Sequence, residues 1–409
     1  MKITIATGPI FPVPTVKGGA VQRLWEGLAK EFAQLGHEVT IFAREFPGQE
    51  REETVDGIRY VRRGGYAQSA SIKRDLVQCL LYALKVARHV PSGDIVVTND
   101  FWLPVVLPWL NPSAGKVVPC LQRFPKNQCG LYGKCAALVA VSQAVADAVK
   151  SQSPSVEGKV VVVPNAVDGA FLQETKRTKD EEAKSAEHGA GSGEKEADRM
   201  RRTAGGRRSV RILYVGRIHP EKGLELLASA LKLLAASDLG RKDKEMDWEC
   251  VLVGPVAEQE GGGGEAFVAE LRAMTDGLPV RIEAPVFDPA SLVRIYNDAD
   301  IFVYPSVAER GESFGIAPLE AMARGVVPVV SDLSVFREYI EPGTNGLVFD
   351  HRASTAPAHL ASAIESLLCD PDKRGAMGIE ARRTAERYSL SATAERYLSL
   401  FAKIAAQPG

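Results

Sequence analysis

Short runs rich in Val and Ile alternate with segments of helical period along most of this chain, and that alternation restricts its fold more than any other feature. Buried parallel strands read as continuous apolar runs, and each pair needs a crossover, usually a helix. In the first half, strands are expected near Ile3 to Thr7, Val39 to Ala43, Ile95 to Thr98, Val117 to Leu121, Leu138 to Val141 and Val160 to Val163. From about Gln173 to Arg208 the pattern stops. TKRTKDEEAKSAEHGAGSGEKEADRMRRTAGGRRS has no periodic apolar face and mixes both signs of charge, the composition of a solvated, flexible tether. The alternation resumes with a strand at Val210 to Val215, a helix from about Glu221 to Ala236, and strands near Trp248 to Val253, Val280 to Glu283, Ile301 to Tyr304 and Val327 to Val330. From Ala353 the chain is helical. It ends in Ala392 to Ala406, where Tyr397, Leu400, Phe401 and Ile404 recur at helical spacing and ask for a packing partner.

Two such blocks predict two doubly wound α/β domains. The expected division is an N-terminal Rossmann-like domain over 1–172, a charged linker over 173–208, a C-terminal Rossmann-like domain over 209–386, and a last helix over 387–409 that packs back on the first domain. With 45% hydrophobic residues in periodic blocks, a wholly disordered chain is excluded. Lys and Arg number 50 against 51 Asp and Glu, a formal charge of -1, so bulk charge attracts neither nucleic acid nor an anionic membrane. No apolar run approaches the roughly 18 to 20 residues of a membrane span, and the start MKITIATGPIF reads as a strand, so a cytoplasmic protein is expected. Cysteines at 79, 120, 129, 135, 250 and 369 form no CxxC and read as reduced thiols; the closest trio, Cys120, Cys129 and Cys135, has no His beside it to complete a metal site.

Ligands of open α/β sheets collect beyond the carboxyl ends of the strands, so the loops there carry the candidates. After the first strand, GPIFPVPTVKGGAVQRLWEGLAKEFAQLGHEV places Gly18 and Gly19 before a helix whose stripe includes Leu24, Leu28, Phe32 and Leu35. A bare backbone at a positive helix terminus admits an anionic or hydroxyl-rich ligand, and a tight strand-to-helix turn needs the same glycines. In LYVGRIHPEKGLELL, Gly216 permits close approach, while Arg217 and Lys222 project from one turn. Two fixed cations beyond a strand end suit a diphosphate, and an ordinary solvated turn carries them as well. In YPSVAERGESFGIAPLEAMARG, Glu312 precedes Phe314 and Gly315, Pro318 marks the first turn of a helix, and Glu320 lies eight positions after Glu312. The amides of Gly315 and Ile316 face a phosphate there, and the carboxylates accept from sugar hydroxyls; the plain alternative is a capped helix with a surface Glu. Gly261 to Gly264 lack a GxGxxG register and read as a flexible loop. Asp298 and Asp300 resemble a metal-binding pair but precede their strand, at the wrong edge, so no catalytic divalent ion is expected.

Taken together these segments resemble the retaining family-4 glycosyltransferases of GT-B fold (glycosyl transferases group 1). The likeness rests on the GRxxxxKG element at Gly216, Arg217, Lys222 and Gly223, the Glu-x7-Glu element from Glu312 to Glu320, the VPNAVD turn with Asn165 and Asp168, and the DADIFVYPS strand. It covers nearly the whole chain apart from the linker, and the start GPIFPVPTVKGGA resembles the subgroup acting on cell-envelope or spore-coat saccharides. The resemblance implies two Rossmann-like domains facing each other across a cleft, with a nucleotide-diphosphate sugar bound mainly by the second and a saccharide or lipid-linked acceptor mainly by the first. By the same resemblance Arg217 and Lys222 hold the diphosphate and stabilise the leaving charge without a metal. Glu312 contacts the donor sugar, Gly315 and Ile316 offer amides to phosphate, Glu320 accepts from the ribose, and the base lies near Pro285 and Val286. No cofactor is implied; the donor is a UDP-, GDP- or ADP-linked sugar.

Relatives carry a His in the loop after the fourth strand of the N-terminal domain, where this chain reads LQRFPKNQCGLY. Arg123 or Lys126 is the cation expected to substitute for it in facing the sugar. Asn99 and Asp100, just past the strand Ile95 to Thr98, are the acceptor-side candidates. His219, between the two cations, is expected to serve the turn. Lys73, Arg74 and Tyr82 on one helix offer a peripheral membrane contact at the inner face, against the plainer reading of a solvated face. Nucleotide-sugar 2-epimerases share the fold but lack these elements in this order. A nucleotide-sugar-binding coat or structural protein is the alternative to a transferase, and release of free nucleoside diphosphate separates the two.

Overall fold

The computed structural model describes residues 1–15, 19–67, 69, 71–173, 209–237 and 248–407. The charged linker expected over 173–208 therefore lies, Gln173 apart, outside the described residues, as does Gly18. The chain divides into two compact units, one of Met1–Asp168, Arg310–Gly315 and Arg387–Gly409, the other of Gly169–Glu309 and Ile316–Glu386. In chain order the first unit opens with β1 (Lys2–Ala6), α1 (Ala20–Gln34), β2 (Glu38–Ala43), β3 (Glu52–Val55), β4 (Ile58–Arg62) and α2 (Ile72–Ala87). It continues through β5 (Ile95–Thr98), α3 (Leu103–Leu110), β6 (Lys116–Leu121), β7 (Leu138–Ala140), α4 (Gln143–Gln152) and β8 (Val160–Val162). The second unit holds α5 (Gly169–Leu172), β9 (Val210–Val215), α6 (Leu224–Ala236), β10 (Trp248–Val253), α7 (Gly264–Met274), β11 (Val280–Glu283) and α8 (Pro289–Asn297). Then come β12 (Ile301–Tyr304), α9 (Ile316–Ala323), β13 (Val327–Ser331), β14 (Leu347–Phe349), α10 (Ala356–Leu368) and α11 (Pro371–Glu386), before α12 (Leu390–Ala405) returns to the first unit.

The first unit is one sheet in the order β3-β4-β2-β1-β5-β6-β7-β8. Its strands pair in parallel except for the β3–β4 hairpin. That hairpin has no counterpart among the expected strands, because Glu52-Glu53-Thr54-Val55 has no apolar run. Its turn is nonetheless coded: Asp56 and Gly57 both take left-handed φ, 53° and 77°, as a two-residue hairpin turn requires. The stripe of α1 is rotated from the expected one. Gln22, Trp25, Leu28, Ala29 and Phe32 are buried, whereas Leu35 is exposed. Trp25 turns inward because α12 packs there: its ring lies 5.1 Å from Tyr397, and Phe32 meets Phe401 edge-on at 6.0 Å. A lone helix of this length is marginal in water, so the burial of Tyr397, Phe401 and Ile404, about 1.5–3 kcal/mol each, fixes α12 in place.

The second unit is a parallel sheet in the order β11-β10-β9-β12-β13-β14. The three-residue β14 was not among the expected strands. Tyr214 and Tyr304 stack with centroids 5.6 Å apart on adjacent strands. The helix expected from Glu221 starts instead at Leu224, because Pro220–Lys222 forms a 3-10 turn and Gly223 is left-handed at φ 66°. In each sheet the strand order reverses once, between β1 and β5 and between β9 and β12. Ligand crevices of open sheets lie beyond the strand ends at those points. All six cysteines are free thiols, and no described helix is long and apolar enough to cross a membrane.

Candidate functional site

At the switch point of the second unit, the loop after β9 is built from glycines the geometry demands. A Cβ on Gly216 would stand 2.6 Å from the Tyr214 hydroxyl, and one on Gly223 would stand 2.1 Å from the Pro305 carbonyl oxygen. The turn between them is tied down on both sides. Tyr214 donates to the Arg217 carbonyl at 2.8 Å, and Val307 donates its amide to the Glu221 carbonyl at 3.0 Å. His219 caps the turn, its Nδ1 accepting from the Glu221 amide at 3.2 Å, so it serves the backbone as expected.

Two cations project from this turn toward one carboxylate. Arg217 Nη2 donates to Glu221 Oε1, and the same oxygen lies 4.0 Å from Lys222 Nζ. Arg217 Nη1 also donates to the Gly261 carbonyl at 2.8 Å. Lys222 is buried at 5% exposure, with its ammonium 5.4 Å from the Tyr304 ring centroid. The pairing of Arg217 with Lys222 was legible from spacing, while Glu221 and Gly261 were not.

The glycine run, expected to be flexible, is hydrogen-bonded throughout. Gly262 donates to Ala257 at 3.0 Å, Gly263 to Ile218 at 2.8 Å and Gly264 to Val256 at 2.9 Å. Any Cβ on Gly262 would come within 2.1 Å of the Val256 carbonyl oxygen. The glycines are there because this loop passes against the Arg217 turn, with Gly261 itself left-handed at φ 82°.

Around the Glu-x7-Glu element the unit boundary falls between Gly315 and Ile316, so the element is shared. Glu312, Phe314 and Gly315 belong with the first unit; Glu312 and Phe314 are buried, Gly315 is left-handed at φ 75°, and the Phe314 ring lies 6.1 Å from that of Tyr388. Ile316 opens α9 in the second unit, where Glu320 accepts from the Tyr296 hydroxyl at 3.0 Å. Burial first, and then the Glu320 carboxylate, push the Tyr296 phenol well above its ordinary range, so it stays a donor. Val286 sits half-buried between β11 and α8. Asp298 and Asp300 both face Arg211, Asp300 Oδ2 accepting its amide at 2.9 Å.

The first unit gathers its candidates at the β1/β5 switch point. Gly19 is left-handed at φ 81°, and a Cβ there would meet Thr15 Cγ2 at 3.0 Å, so turn geometry alone already requires it. Asn99 Oδ1 accepts from Trp25 Nε1 at 2.8 Å, tying β5 to α1. Asp100 Oδ1 caps α3 through the Leu103 amide at 2.7 Å, while its Oδ2 is buried without a hydrogen bond. Burial raises the Asp100 carboxyl to about 6, against the pull of the Leu103 and Trp102 amides. Arg123 and Lys126 are exposed in the loop after β6, whose Gln122 accepts from Asn165 at 3.0 Å. Tyr82 is buried, contrary to the membrane-facing patch expected of it, because it lies on the inner face of α2.

That outer face is nevertheless apolar in part: Ile72, Val77 and Leu81 are exposed on α2, and Trp109 and Leu110 on α3. The two helices lie side by side, with Trp102 Nε1 donating to Leu76 at 3.0 Å and Asn111 Nδ2 to Val90 at 2.8 Å. Lys73, Arg74 and Lys85 are exposed on α2 and Arg88 directly after it, and Lys134 sits 3.3 Å over the Trp109 ring.

A family model described as glycosyl transferases group 1 matches residues 199–384. Spore coat protein SA of Bacillus subtilis (strain 168) is 26% identical over 418 residues, covering 98% of this chain and 100% of that protein. A D-inositol 3-phosphate glycosyltransferase of Kineococcus radiotolerans is 28% identical over 440 residues, covering 98% of this chain and 94% of the relative. Among solved structures, a glycosyltransferase from Rickettsia africae ESF-5 is similar with a TM-score of 0.70 at 19% identity, each chain covered to 100%. Anabaena HepE in complex with UDP-glucose is similar with a TM-score of 0.67 at 16% identity, covering 98% of this chain and 100% of HepE. At such identities the likeness to solved structures speaks for the fold.

Proposed function

We propose, from the match of residues 199–384 to the glycosyl transferases group 1 model, that this chain transfers a sugar, with retention at the anomeric carbon, from a nucleotide-diphosphate sugar to a saccharide or lipid-linked acceptor. The observation that carries the reading is the convergence of Arg217 and Lys222 on one point beyond the β9/β12 switch. Departure of a nucleoside diphosphate builds negative charge, and cations fixed in advance stabilise it without reorganising. Lys222, buried and rigid, supplies a point charge; Arg217 supplies a fork. Glu320, oriented by Tyr296, accepts from ribose hydroxyls, and Glu312 from the donor sugar. Retention fits attack on the face the leaving group departs from, with the departing phosphate taking the acceptor's proton, a route that needs neither a separate base nor a divalent ion. HepE was solved with UDP-glucose, which makes a UDP-sugar the first donor to try.

The α2–α3 face supports the lipid-linked class of acceptor. Exposed Val77, Leu81, Trp109 and Leu110 among Lys73, Arg74, Lys85 and Arg88 suit an anionic lipid surface. The likeness to spore coat protein SA favours a cell-envelope or coat saccharide as product, and also keeps a binding protein without turnover as the second reading.

The thermal shift of the protein with UDP, GDP, ADP and TDP tests the proposal. A ligand at about 100 times its dissociation constant stabilises by roughly 2.7 kcal/mol. One nucleotide is expected to raise Tm, with the gain reduced in Lys222→Ala and Glu320→Ala. No shift with any nucleotide, in a protein that melts cooperatively, overturns the transferase reading. A shift without release of nucleoside diphosphate from any donor sugar moves the weight to the binding protein.

A further inference from the structure

We propose that Glu221 is an internal counter-anion of the Arg217–Lys222 cradle, so that an incoming diphosphate must take Arg217 from Glu221 in order to bind. The inference deepens the diphosphate reading of these two cations and rests on it.

Glu221 is placed by its backbone rather than by its side chain. Its carbonyl accepts from the Val307 amide at 3.0 Å and the Ser306 hydroxyl at 3.4 Å, and its amide donates to His219 Nδ1. Gly223 then brings the turn against Pro305, and the carboxylate is held where both cations point. A single oxygen, Oε1, pairs with Arg217 Nη2 and faces Lys222 Nζ at 4.0 Å, while Oε2 lies 3.9 Å from His219 Nδ1. On this proposal a phosphate oxygen shared by the two cations would take the place of Oε1.

The two cations differ in freedom. The Lys222 side chain is 6% exposed and fixed, whereas that of Arg217 is 40% exposed and held by Glu221 and the Gly261 carbonyl. Arg217 is therefore the group that changes partner. The carboxylate opposes a diphosphate twice, by occupying the Arg217 fork and by repelling like charge. With Glu221 ionised the three side chains sum to one positive charge; a neutral isostere leaves two.

Inorganic pyrophosphate is the probe, because it presents the diphosphate without base or sugar, with UDP, GDP and ADP measured beside it. Glu221→Gln is expected to bind pyrophosphate about threefold to tenfold more tightly than the parent chain at low salt, with a steeper salt dependence. In an Arg217→Ala background the same substitution should give less than half of that gain. Glu221→Gln keeps the backbone bonds to Val307 and Ser306, and its Tm checks that it folds. Weaker or unchanged pyrophosphate binding overturns the inference, as does an equal gain without Arg217, which would reduce Glu221 to a distant repulsive charge. Absence of pyrophosphate binding to both forms overturns it together with the diphosphate reading. A pyrophosphate gain without binding of any nucleoside diphosphate upholds it and sinks the nucleotide-sugar reading alone.

Discussion

Gly223 combines a left-handed φ of 66° with a neighbour that leaves no room for a side chain, since its Cβ would stand 2.1 Å from the Pro305 oxygen. Gly223→Ala should therefore cost the second unit about 2–4 kcal/mol, read as a fall in the urea midpoint at unchanged slope, and should weaken nucleotide binding by moving Lys222. Asp100 makes a second residue-scale prediction. Its carboxyl titrates near 6 when folded, above the ordinary 3.8, so the folded chain holds the proton more tightly. Stability then falls as pH rises from about 4 to 6, by roughly 1–3 kcal/mol. Asp100→Asn keeps an acceptor for the Leu103 amide and removes the titration, so its Tm relative to the parent chain should climb across that window; a constant difference would show that burial does not set this carboxyl. The spacing of Gly216, Arg217 and Lys222 was readable because each residue type is chemically committed. Glu221 in the same motif was not, since a Glu in a polar turn looks solvated until the 3-10 turn is seen to aim it between two cations.

Elements were legible where apolar periodicity is long and strong, as in β1, β5, β10 and β12. The β3–β4 hairpin lacked such a run and announced itself only through Asp56-Gly57. The glycine run before α7 failed differently: composition suggested looseness, but Gly261 to Gly263 are small because the loop packs on Arg217 and Pro220. Replacing Gly262 by Ala should thus destabilise the second unit and loosen the Arg217 tether together, the latter seen as faster amide exchange at Gly263 and Gly264. Helix α12 was expected to be amphipathic and to pack back on the first domain, while its partner there, α1, emerged only in the fold. Its Phe401 is fully buried against Phe32, so Phe401→Ala should cost about 3–5 kcal/mol in the first unit, measured by denaturant unfolding, while nucleotide affinity at the second unit stays unchanged in the folded fraction. Loss of the nucleotide shift at full folding would show that α12 does more than complete a core.

At the scale of the whole molecule, alternation of strand and helix was enough to read two α/β sheets. It could not show that Arg310–Gly315 joins the first unit, because that depends on which contacts a short loop makes rather than on any pattern within it. Net charge misleads in a related way. A formal charge of -1 argues against an anionic surface as partner, yet charges separated by more than about 10 Å are largely screened at 0.1 M salt, so the local face decides. On α2 and α3 that face sets Lys73, Arg74, Lys85 and Arg88 around exposed Val77, Leu81, Trp109 and Leu110. Each basic residue near an anionic leaflet is worth on the order of 1 kcal/mol, and the apolar side chains add burial once contact is made. The chain should therefore sediment with phosphatidylglycerol-rich vesicles at low salt, and far less with phosphatidylcholine vesicles. Val77→Asp combined with Leu81→Asp should abolish this without changing nucleotide binding, because both side chains already face water and neither touches the cradle. Neutralising Lys73 and Arg74 should weaken it and flatten its salt dependence. Equal binding to both vesicle types, or binding indifferent to these substitutions, would remove the lipid surface from the proposal and leave a soluble saccharide as the acceptor to pursue.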